Sequence, residues 1–555
     1  MQVQTTHMLQ KILSLLILLL TNLIVLAQRA SDNPKLVVGI VVDQMRQEYL
    51  YRYYDKFGNG GFKRLVNDGF MLMNAHYNYA PTVTGPGHAS VYTGATPAIH
   101  GVIGNDFYEK QSRHMVNCVE DSLYRPVGID LGNGDVSPWR MISSTVTDEL
   151  KLFTQKRAKV VSISIKDRGA VLPGGHMADA AYWYDGRSGK FITSTFYMAT
   201  LPGWVVKFNA QNLPDKYLSQ DWNTLLPIDQ YTGSGPNNTL YEEKLAGQKN
   251  AVFPYKLSQL RSKNNYELLT STPFANDYVS AMAHAAIANE KMGKSDVTDF
   301  LCISYSATDA VGHQVGPNSI ALEDTYLRLD RNLEALLKQL DSEVGAGKYT
   351  VFLTADHGVA DVPQYLKDNK IPAGYFNSTD TKNKLDAFLN LYYPGKKFIE
   401  NISNGQIFLN QDAFQKDPRA SGLDMFLVTE LIGKYLMTID GVANFYTEAM
   451  LRDADYNEGG IKGAIVRGYH AKRSGDIAIL LEPGWFEGST LQGTAHGSPY
   501  AYDTHVPVLF YGCGIRKGSS VRYHPITDIA PTISALLRIK FPNGSTGQPI
   551  VEIFE

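Results

Sequence analysis

The sequence predicts an α/β fold built around a mostly parallel β-sheet. Two observations predict it. Short runs rich in Val and Ile each end at a polar residue of catalytic type, and a long amphipathic helix lies between two of these runs. Apolar runs of this length are typical of strands buried on both faces, as in parallel sheets.

Four such runs are followed closely by acidic, basic or histidine side chains. They are Leu36–Val42 before Asp43, Val160–Ile165 before Lys166 and Arg168, Phe300–Tyr305 before Asp309 and His313, and Tyr349–Thr354 before Asp356 and His357. In open α/β sheets functional residues gather beyond the carboxyl ends of the strands. We therefore expect these polar residues to lie close together.

The helix between the last two runs has the sequence "SIALEDTYLRLDRNLEALLKQL". Its apolar residues recur every three or four positions, at Leu322, Tyr326, Leu329, Leu333, Leu336 and Leu340. This spacing predicts an amphipathic helix. A strand, a helix and a strand in that order form a crossover unit. The segments "HVPVLFYGCGI" and "DIAPTISALLRI" predict one more strand and helix near the end of the chain.

Two long intervals do not follow this alternation. Residues from about 175 to 289 and from about 362 to 474 are rich in Pro, Gly, Asn and aromatic clusters. We interpret both as cap-type insertions. They could shape a substrate cleft, or they could only cover an edge of the sheet.

The first 27 residues have the pattern of a secretory signal peptide. Lys11 precedes the apolar run "ILSLLILLLTNLIVLA", and polar residues follow Ala27. We predict cleavage near Ala27, a mature domain of residues 28–555, and a periplasmic or secreted protein without stable membrane insertion. The alternative is an uncleaved membrane anchor, because the run is only slightly shorter than a bilayer span.

Charge and cysteine content exclude some classes of protein. The formal net charge of −3 supplies no basic excess to neutralise nucleic-acid phosphates. Three cysteines do not make a disulfide framework, even in an exported protein. The composition leaves the oligomeric state open, and a monomer is compatible with it.

Six aspartates and histidines are candidate metal ligands: Asp43, Asp309, His313, Asp356, His357 and His496. Carboxylate oxygen and imidazole nitrogen are ligands that zinc takes. Each residue alone could be a helix cap, a polar turn or a surface histidine. Because most of them follow predicted strands, and Asp309 and His313 are four residues apart, together they predict a metal centre.

The stretch "APTVTGPGHASVYTGATPAIHGVIGND" surrounds two hydroxyls, Thr82 and Thr84, with glycines. Gly-Pro suits a helix start, where free N–H groups favour an anion. Lys166 and Arg168 alternate with Asp167, so in an extended segment both cations would point the same way. A guanidinium can hold two phosphate oxygens at once. The alternative is a solvated "KDR" turn.

Five motifs in order, "VVDQ", "PTVTGPGHASVYTG", "SATDAVGHQVGP", "TADHG" and "GTAHGS", resemble the alkaline phosphatase superfamily. The resemblance is closest to the PafA-like secreted bacterial alkaline phosphatases, which use a threonine nucleophile. It implies an alkaline-phosphatase-like three-layer sandwich, with helices on both faces of the sheet. Thr84, directly before Gly-Pro-Gly-His, occupies the position of the nucleophile.

The resemblance also implies two Zn²⁺ per chain and the residues around them. One zinc would be held by Asp309, His313 and His496, and the other by Asp43, Asp356, His357 and the Thr84 hydroxyl. His505, in "YDTHVP", competes with His496 for the last position. Asn105, Lys166 and Arg168 would bind the transferring phosphoryl group. Zinc itself depends on the resemblance, since such sites accept several divalent ions.

The implied reaction is hydrolysis of small-molecule phosphate monoesters through a phosphothreonine, which releases inorganic phosphate. The cation pair favours monoesters, which carry one more negative charge than diesters. A phosphodiesterase or nucleotide pyrophosphatase of the same superfamily is the first alternative, and a non-catalytic phosphate- or metal-binding protein is the second. A sulfatase is disfavoured, because Thr84 does not stand in a C/S-x-P-x-R context.

Overall fold

A computed structural model describes Ser14 and residues 33–130, 134–261, 265–415, 425–488 and 491–554. The predicted signal peptide and its cleavage near Ala27 fall outside this described part, apart from Ser14. Among the residues that it covers, no helix is both long enough and apolar enough to cross a bilayer.

Eighteen strands are present in the described residues. In chain order they are β1 (Leu36–Val42), β2 (Phe70–His76), β3 (Asp106–Glu109), β4 (His114–Asn117), β5 (Pro126–Val127), β6 (Val160–Ser164), β7 (Ala180–Asp185), β8 (Lys190–Ser194), β9 (Asp299–Tyr305), β10 (Tyr349–Thr354), β11 (Gly374–Phe376), β12 (Ile399–Ser403), β13 (Gln406–Leu409), β14 (Val442–Thr447), β15 (Ile477–Leu481), β16 (Trp485–Glu487), β17 (Val508–Gly512) and β18 (Gly518–Pro525).

Ten of these strands form the main sheet, in the order β18-β2-β17-β10-β1-β9-β6-β7-β8-β5. Its centre, β10-β1-β9-β6-β7, is parallel throughout. Every residue of β1, β6, β9 and β10 is buried, as expected for strands covered on both faces. The predicted α/β fold with a mostly parallel central sheet is confirmed, and each of the four predicted runs is a strand of it.

The α-helices cover and connect the sheets. They are Tyr49–Arg52, Phe62–Asp68, Thr84–Thr93, Pro97–His100, Val146–Phe153, Asp167–Gly174, Gly203–Asn209, Leu213–Leu218, Leu257–Leu260, Phe274–Glu290, Ala307–Val315, Ile320–Leu340, Pro363–Asp368, Ser378–Tyr392, Asp412–Gln415, Met425–Leu436, Glu448–Arg452, Gly460–Gly468, Ala501–Thr504 and Ile529–Leu537. The amphipathic helix is confirmed as Ile320–Leu340, and the Ser319 side chain caps it by accepting a hydrogen bond from the Leu322 N–H at 3.1 Å.

The first interval interpreted as an insertion contributes to the main sheet. β7 and β8 lie within it and pair with β6 and with each other. The interpretation is therefore wrong for residues 180–194. The physical reason lies in the aromatic segment "AAYWYD": Tyr and Trp favour strands, and all six residues of β7 are buried.

The second interval forms a sheet of its own, which we call the small sheet. It consists of β12, β13, β15 and β14 in that order, all antiparallel. Leu385 and Val428, from two helices, pack with Ile407 and Ile477 of its strands in a separate hydrophobic core. The small sheet extends beyond residue 474 to Leu481, the end of β15.

Candidate active site

The predicted polar residues meet at one edge of the main sheet. Asp43 follows β1, Lys166 follows β6, Asp309 follows β9, and Asp356 follows β10. These four strands are neighbours in the order β10-β1-β9-β6. Since parallel strands end at the same edge, the fold brings together side chains that are up to 313 positions apart in the sequence.

Asp43, Asp356 and His357 form the first of two acidic and histidine groups, and all three are fully buried. His357 Nε2 lies 3.4 Å from Asp43 Oδ1 and 3.7 Å from Asp356 Oδ1. Asp43 Oδ1, Asp356 Oδ2 and His357 Nε2 are buried without a hydrogen-bond partner among the described residues. Buried polar atoms are normally satisfied, so three such atoms in one group indicate a cation.

Asp309, His313 and His496 form the second group. Asp309 and His313 are one turn apart in helix Ala307–Val315, and His313 Nε2 lies 3.1 Å from Asp309 Oδ1. His496 Nε2 lies 3.7 Å from the same oxygen. The His313 side chain is 37% exposed, whereas those of Asp309 and His496 are 7% exposed, so the group reaches solvent through His313.

All three histidines anchor Nδ1 to a backbone oxygen and turn Nε2 towards the carboxylates. The Nδ1 atoms of His313, His357 and His496 lie 2.7–2.8 Å from the backbone oxygens of Thr494, Gly358 and Thr82. A carbonyl oxygen can only accept, so each Nδ1 carries a proton, and Nε2 is the nitrogen left to bind a metal. Such outer hydrogen bonds orient metal-ligating histidines.

Carboxylates of both groups lie close together around Lys166. Burial, together with Asp309 and Asp356, raises the pKa of Asp43 to about 8. Burial also opposes ionisation of Asp309, but His313 and Lys166 hold its pKa well below the ordinary value. Lys166 Nζ donates to Asp43 Oδ2 and to Asp309 Oδ2, each at 2.6 Å. One lysine thus faces one carboxylate from each group.

Gln44 is a residue whose role the sequence did not reveal. Its N–H donates to Asp356 Oδ1 at 3.1 Å, and its Nε2 donates to Asp309 Oδ1 at 2.6 Å. Its backbone is left-handed, with φ of 66°. A Cβ at Gly312 would clash with Gln44 Oε1. Gln44 therefore holds one carboxylate of each group, and the only signal for it was its place in "VVDQ".

Thr84 begins the helix Thr84–Thr93, as the Gly-Pro pattern predicts, and it is 1% exposed. Gly87, in the first turn, lets this helix approach the first group, since a Cβ there would clash with the Asp356 backbone oxygen. His88 Nδ1 lies 3.3 Å from Asp356 Oδ2. The fold thus places the start of this helix against the first group.

Thr82 and His505, the alternatives to Thr84 and His496, are engaged elsewhere. Thr82 Oγ1 donates to the Ser498 backbone oxygen at 2.8 Å. His505 stacks on His76, with ring centroids 4.5 Å apart, and its Nε2 lies 3.0 Å from the Met73 backbone oxygen.

Asn105 lies beside Thr84, because its Oδ1 accepts from the Gly85 N–H at 2.6 Å. This bond leaves the two amide protons of Asn105 for another acceptor.

Lys166 and Arg168 lie at a helix start and not in an extended segment. Lys166 is the N-cap of helix Asp167–Gly174. The expected alternation is wrong because β6 ends at Ser164 and the chain turns directly into the helix. Arg168 Nε is buried without a hydrogen-bond partner among the described residues. A buried guanidinium N–H without an acceptor suits an anionic ligand.

Comparison with known proteins assigns this chain to a family. Residues 37–503 match the family of type I phosphodiesterase / nucleotide pyrophosphatase. Alkaline phosphatase PhoV of Synechococcus elongatus is 46% identical, with 94% of this chain and 93% of PhoV covered. The crystal structure of alkaline phosphatase PafA matches with a TM-score of 0.90 and 43% identity, over 94% of this chain and 99% of PafA.

The chain belongs to the alkaline phosphatase superfamily. The predicted hydrolase class is confirmed by these relatives. A protein of Myroides odoratus named calcium-transporting ATPase is 44% identical, with 96% of both chains covered.

This alkaline phosphatase superfamily member also carries a cavity of about 190 Å³ next to the second group. His496 and Val83, the residue before Thr84, line it on one side, and residues of the small sheet line it on the other. No pattern in the sequence predicts this cavity, because Val83 and Gln406, which both line it, are more than three hundred positions apart.

Proposed function

We propose that this chain hydrolyses phosphate monoesters with two zinc ions and a covalent phosphothreonine at Thr84. The observation that carries the proposal is the pair of three-residue groups at one sheet edge, with the helix that begins at Thr84 packed against one of them. The phosphatase relatives support the reaction class.

The two groups fit zinc. Asp309, His313 and His496 would hold one ion, and Asp43, Asp356 and His357 would hold the other together with the Thr84 oxygen. Each group offers carboxylate oxygen and histidine Nε2, and each leaves room for further ligands, as catalytic zinc sites do. When bound, zinc supplies a lowered hydroxyl pKa and compensates charge on a leaving oxygen.

Within the protein, Thr84 is the nucleophile. Its hydroxyl gives its proton to solvent, and its oxygen bonds to phosphorus in line as the bond to the leaving oxygen breaks. The leaving oxygen takes a proton from water, and a second water later hydrolyses the phosphothreonine to inorganic phosphate and free Thr84. The positive end of the helix dipole at Thr84 favours the negative phosphoryl group. Asn105 Nδ2, Lys166 and Arg168 would donate to its non-bridging oxygens, where charge must be stabilised in the transition state.

Phosphodiester hydrolysis is the second candidate, because the matching family is described as type I phosphodiesterase / nucleotide pyrophosphatase. Lys166 and Arg168 favour monoesters. A dianionic monoester gains more from two cations than a monoanionic diester does. Arg168 Nε, without a partner in the described part of the chain, is available for this contact.

The experiment is a paired assay of the purified enzyme with phenyl phosphate and diphenyl phosphate, combined with metal analysis. We expect about two zinc ions per chain and much faster hydrolysis of the monoester. Faster hydrolysis of the diester would overturn the substrate assignment. Full activity after complete removal of metal would overturn the metal assignment.

We further propose that residues 1–27 are removed and that residues 28–555 work in the periplasm or outside the cell. The pattern of Lys11, the apolar run and Ala27 supports this. N-terminal sequencing of the protein from the expressing cell tests it. An intact Met1 on the active enzyme would contradict it.

A further inference from the structure

The cavity next to His496 is positioned to receive part of the substrate. Its lining includes Val83, directly before Thr84, and His496 of the second group. Asn404, on the small-sheet side of the cavity, donates from Nδ2 to the Asp106 backbone oxygen at 2.6 Å. The cavity is therefore bordered by the segment that leads into Thr84 and by His496 of the second group, and its Asn404 contacts the residue after Asn105.

The walls of the cavity are mainly apolar and aromatic. Phe376, Trp485 and Phe486 line it together with Ile465 and Tyr469. Phe376 and Ile465 are buried, whereas Trp485 and Phe486 are partly exposed. Mostly apolar concave sites with a few polar groups are typical of small-molecule pockets.

The size of the cavity suits one ring or a short alkyl chain. Its volume is about 190 Å³. An apolar cavity of roughly 150 Å³ is enough to bind benzene in another protein.

The in-line geometry of the displacement determines which part of the substrate lies in the cavity. In an in-line displacement the leaving oxygen departs on the side opposite the Thr84 oxygen. Under the proposed function Thr84 belongs with the first group, so the leaving oxygen lies on the side of the second group. His496 is part of that group and also lines the cavity.

We propose that this cavity binds the apolar alcohol or phenol portion of the phosphate monoester. The preferred substrates are then monoesters of aromatic or medium-length aliphatic alcohols. This inference rests on the proposed function and adds a substrate class to it. Trp485 and Phe486 are specificity-determining residues in this account, and they contact the leaving group, not the phosphoryl group.

The test compares kcat/KM for propyl, butyl, pentyl and hexyl phosphate. Their leaving alcohols have nearly the same acidity, so differences in kcat/KM report the contacts of the alkyl chain with the protein. We expect kcat/KM to rise about fourfold for each added methylene that becomes buried. The kcat/KM for benzyl phosphate should equal or exceed that for hexyl phosphate.

Phe486→Ala should reduce the ratio of hexyl to propyl phosphate turnover about tenfold, because one wall of the cavity is lost. Phe388→Ala is the matched control. Phe388 is a partly buried aromatic residue packed on the core of the small sheet, stacked on Tyr435 and outside the cavity. This variant should keep the wild-type ratio.

Two results would overturn the inference: equal kcat/KM along the alkyl series, or the same change of ratio in both variants. Either result would leave the proposed function standing, provided that propyl phosphate is hydrolysed. Failure to hydrolyse every monoester in the series would instead refute the proposed function. The two failures are therefore distinguishable in one experiment.

Discussion

Gln44 Nε2, just after strand β1, donates a 2.6 Å hydrogen bond to Asp309 Oδ1, in the helix that follows the neighbouring strand β9. The Gln44 N–H donates to Asp356 as well. One residue in a left-handed conformation thus orients a carboxylate from each candidate metal group. A left-handed backbone at a residue other than Gly, Asn or Asp is uncommon and often accompanies function.

Gln44→Ala should weaken zinc binding about 10- to 100-fold, as loss of an outer hydrogen bond does in other zinc sites. Competition with a chromogenic chelator measures the affinity, and kcat/KM is measured at saturating zinc. Gln47→Ala is the matched control, since Gln47 is also buried but makes no side-chain hydrogen bond among the described residues. Equal zinc affinity in the two variants would contradict the role of Gln44.

Gly87→Ala should lower kcat more than it changes KM. The added Cβ would clash with the Asp356 backbone oxygen, which cannot move like a side chain, so the start of the Thr84 helix must shift. Small displacements of reacting groups cost orders of magnitude in rate. In Gly203→Ala, the control, the Cβ meets nothing within 4 Å. Unchanged kcat in Gly87→Ala would show that the helix does not need this close approach.

Arg168→Ala should reduce monoester turnover by at least about 100-fold and diester turnover much less. The reason is that the lost guanidinium stabilises the second negative charge of the phosphoryl group, which a diester lacks. Arg168→Lys should recover only part of the activity, since an ammonium cannot bind two oxygens at once. Arg187→Ala is the control; Arg187 is exposed and pairs with Asp185. Parallel losses on monoester and diester would undo the monoester assignment.

His100 should make the protein less stable in acid. Burial is the main reason that the pKa of His100 is lowered to about 3 in the folded protein, and the Arg473 charge adds to it. The Val102 N–H donates to His100 Nδ1 at 3.1 Å, which requires that atom to be unprotonated. The unfolded state takes up a proton near pH 6.5, so stability is fully present above this pH and falls as pH drops towards 3.

This effect amounts to about 2 kcal/mol between pH 7 and pH 5. It is measured as the difference in urea unfolding free energy of the metal-free protein at the two pH values. His100→Gln has no titrating group at this position, so its free energy of unfolding should fall by about 2 kcal/mol less between pH 7 and pH 5. The same pH dependence in both proteins would contradict the assignment.

The strands of the site were predictable because their signal is local. A run such as Leu36–Val42 is buried on both faces, and the polar residue after it must lie at the sheet edge. The same reasoning placed Asp43, Asp309 and Asp356 together. His496 follows no predicted strand, and only its resemblance to a family motif suggested it.

Contacts between distant segments were not predictable. Gln44 reaches both carboxylates because its backbone is left-handed and because Gly312 leaves room for its side chain. Neither feature is visible as a pattern in one sequence. The change from strand to helix at Lys166 was missed because "KDR" has no strong helix-start signal. The aromatic segment of β7 was misread because Tyr and Trp occur both in caps and in buried strands.

Trapping the covalent intermediate tests the central claim most directly. The enzyme is mixed with a phosphate monoester, quenched in acid within milliseconds, digested and analysed by mass spectrometry. We predict one phosphate on the peptide that contains Thr84, on the Thr84 oxygen, and none on this peptide in Thr84→Ala. Rapid turnover with no phosphorylated Thr84, or full activity of Thr84→Ala with its zinc retained, would contradict the account.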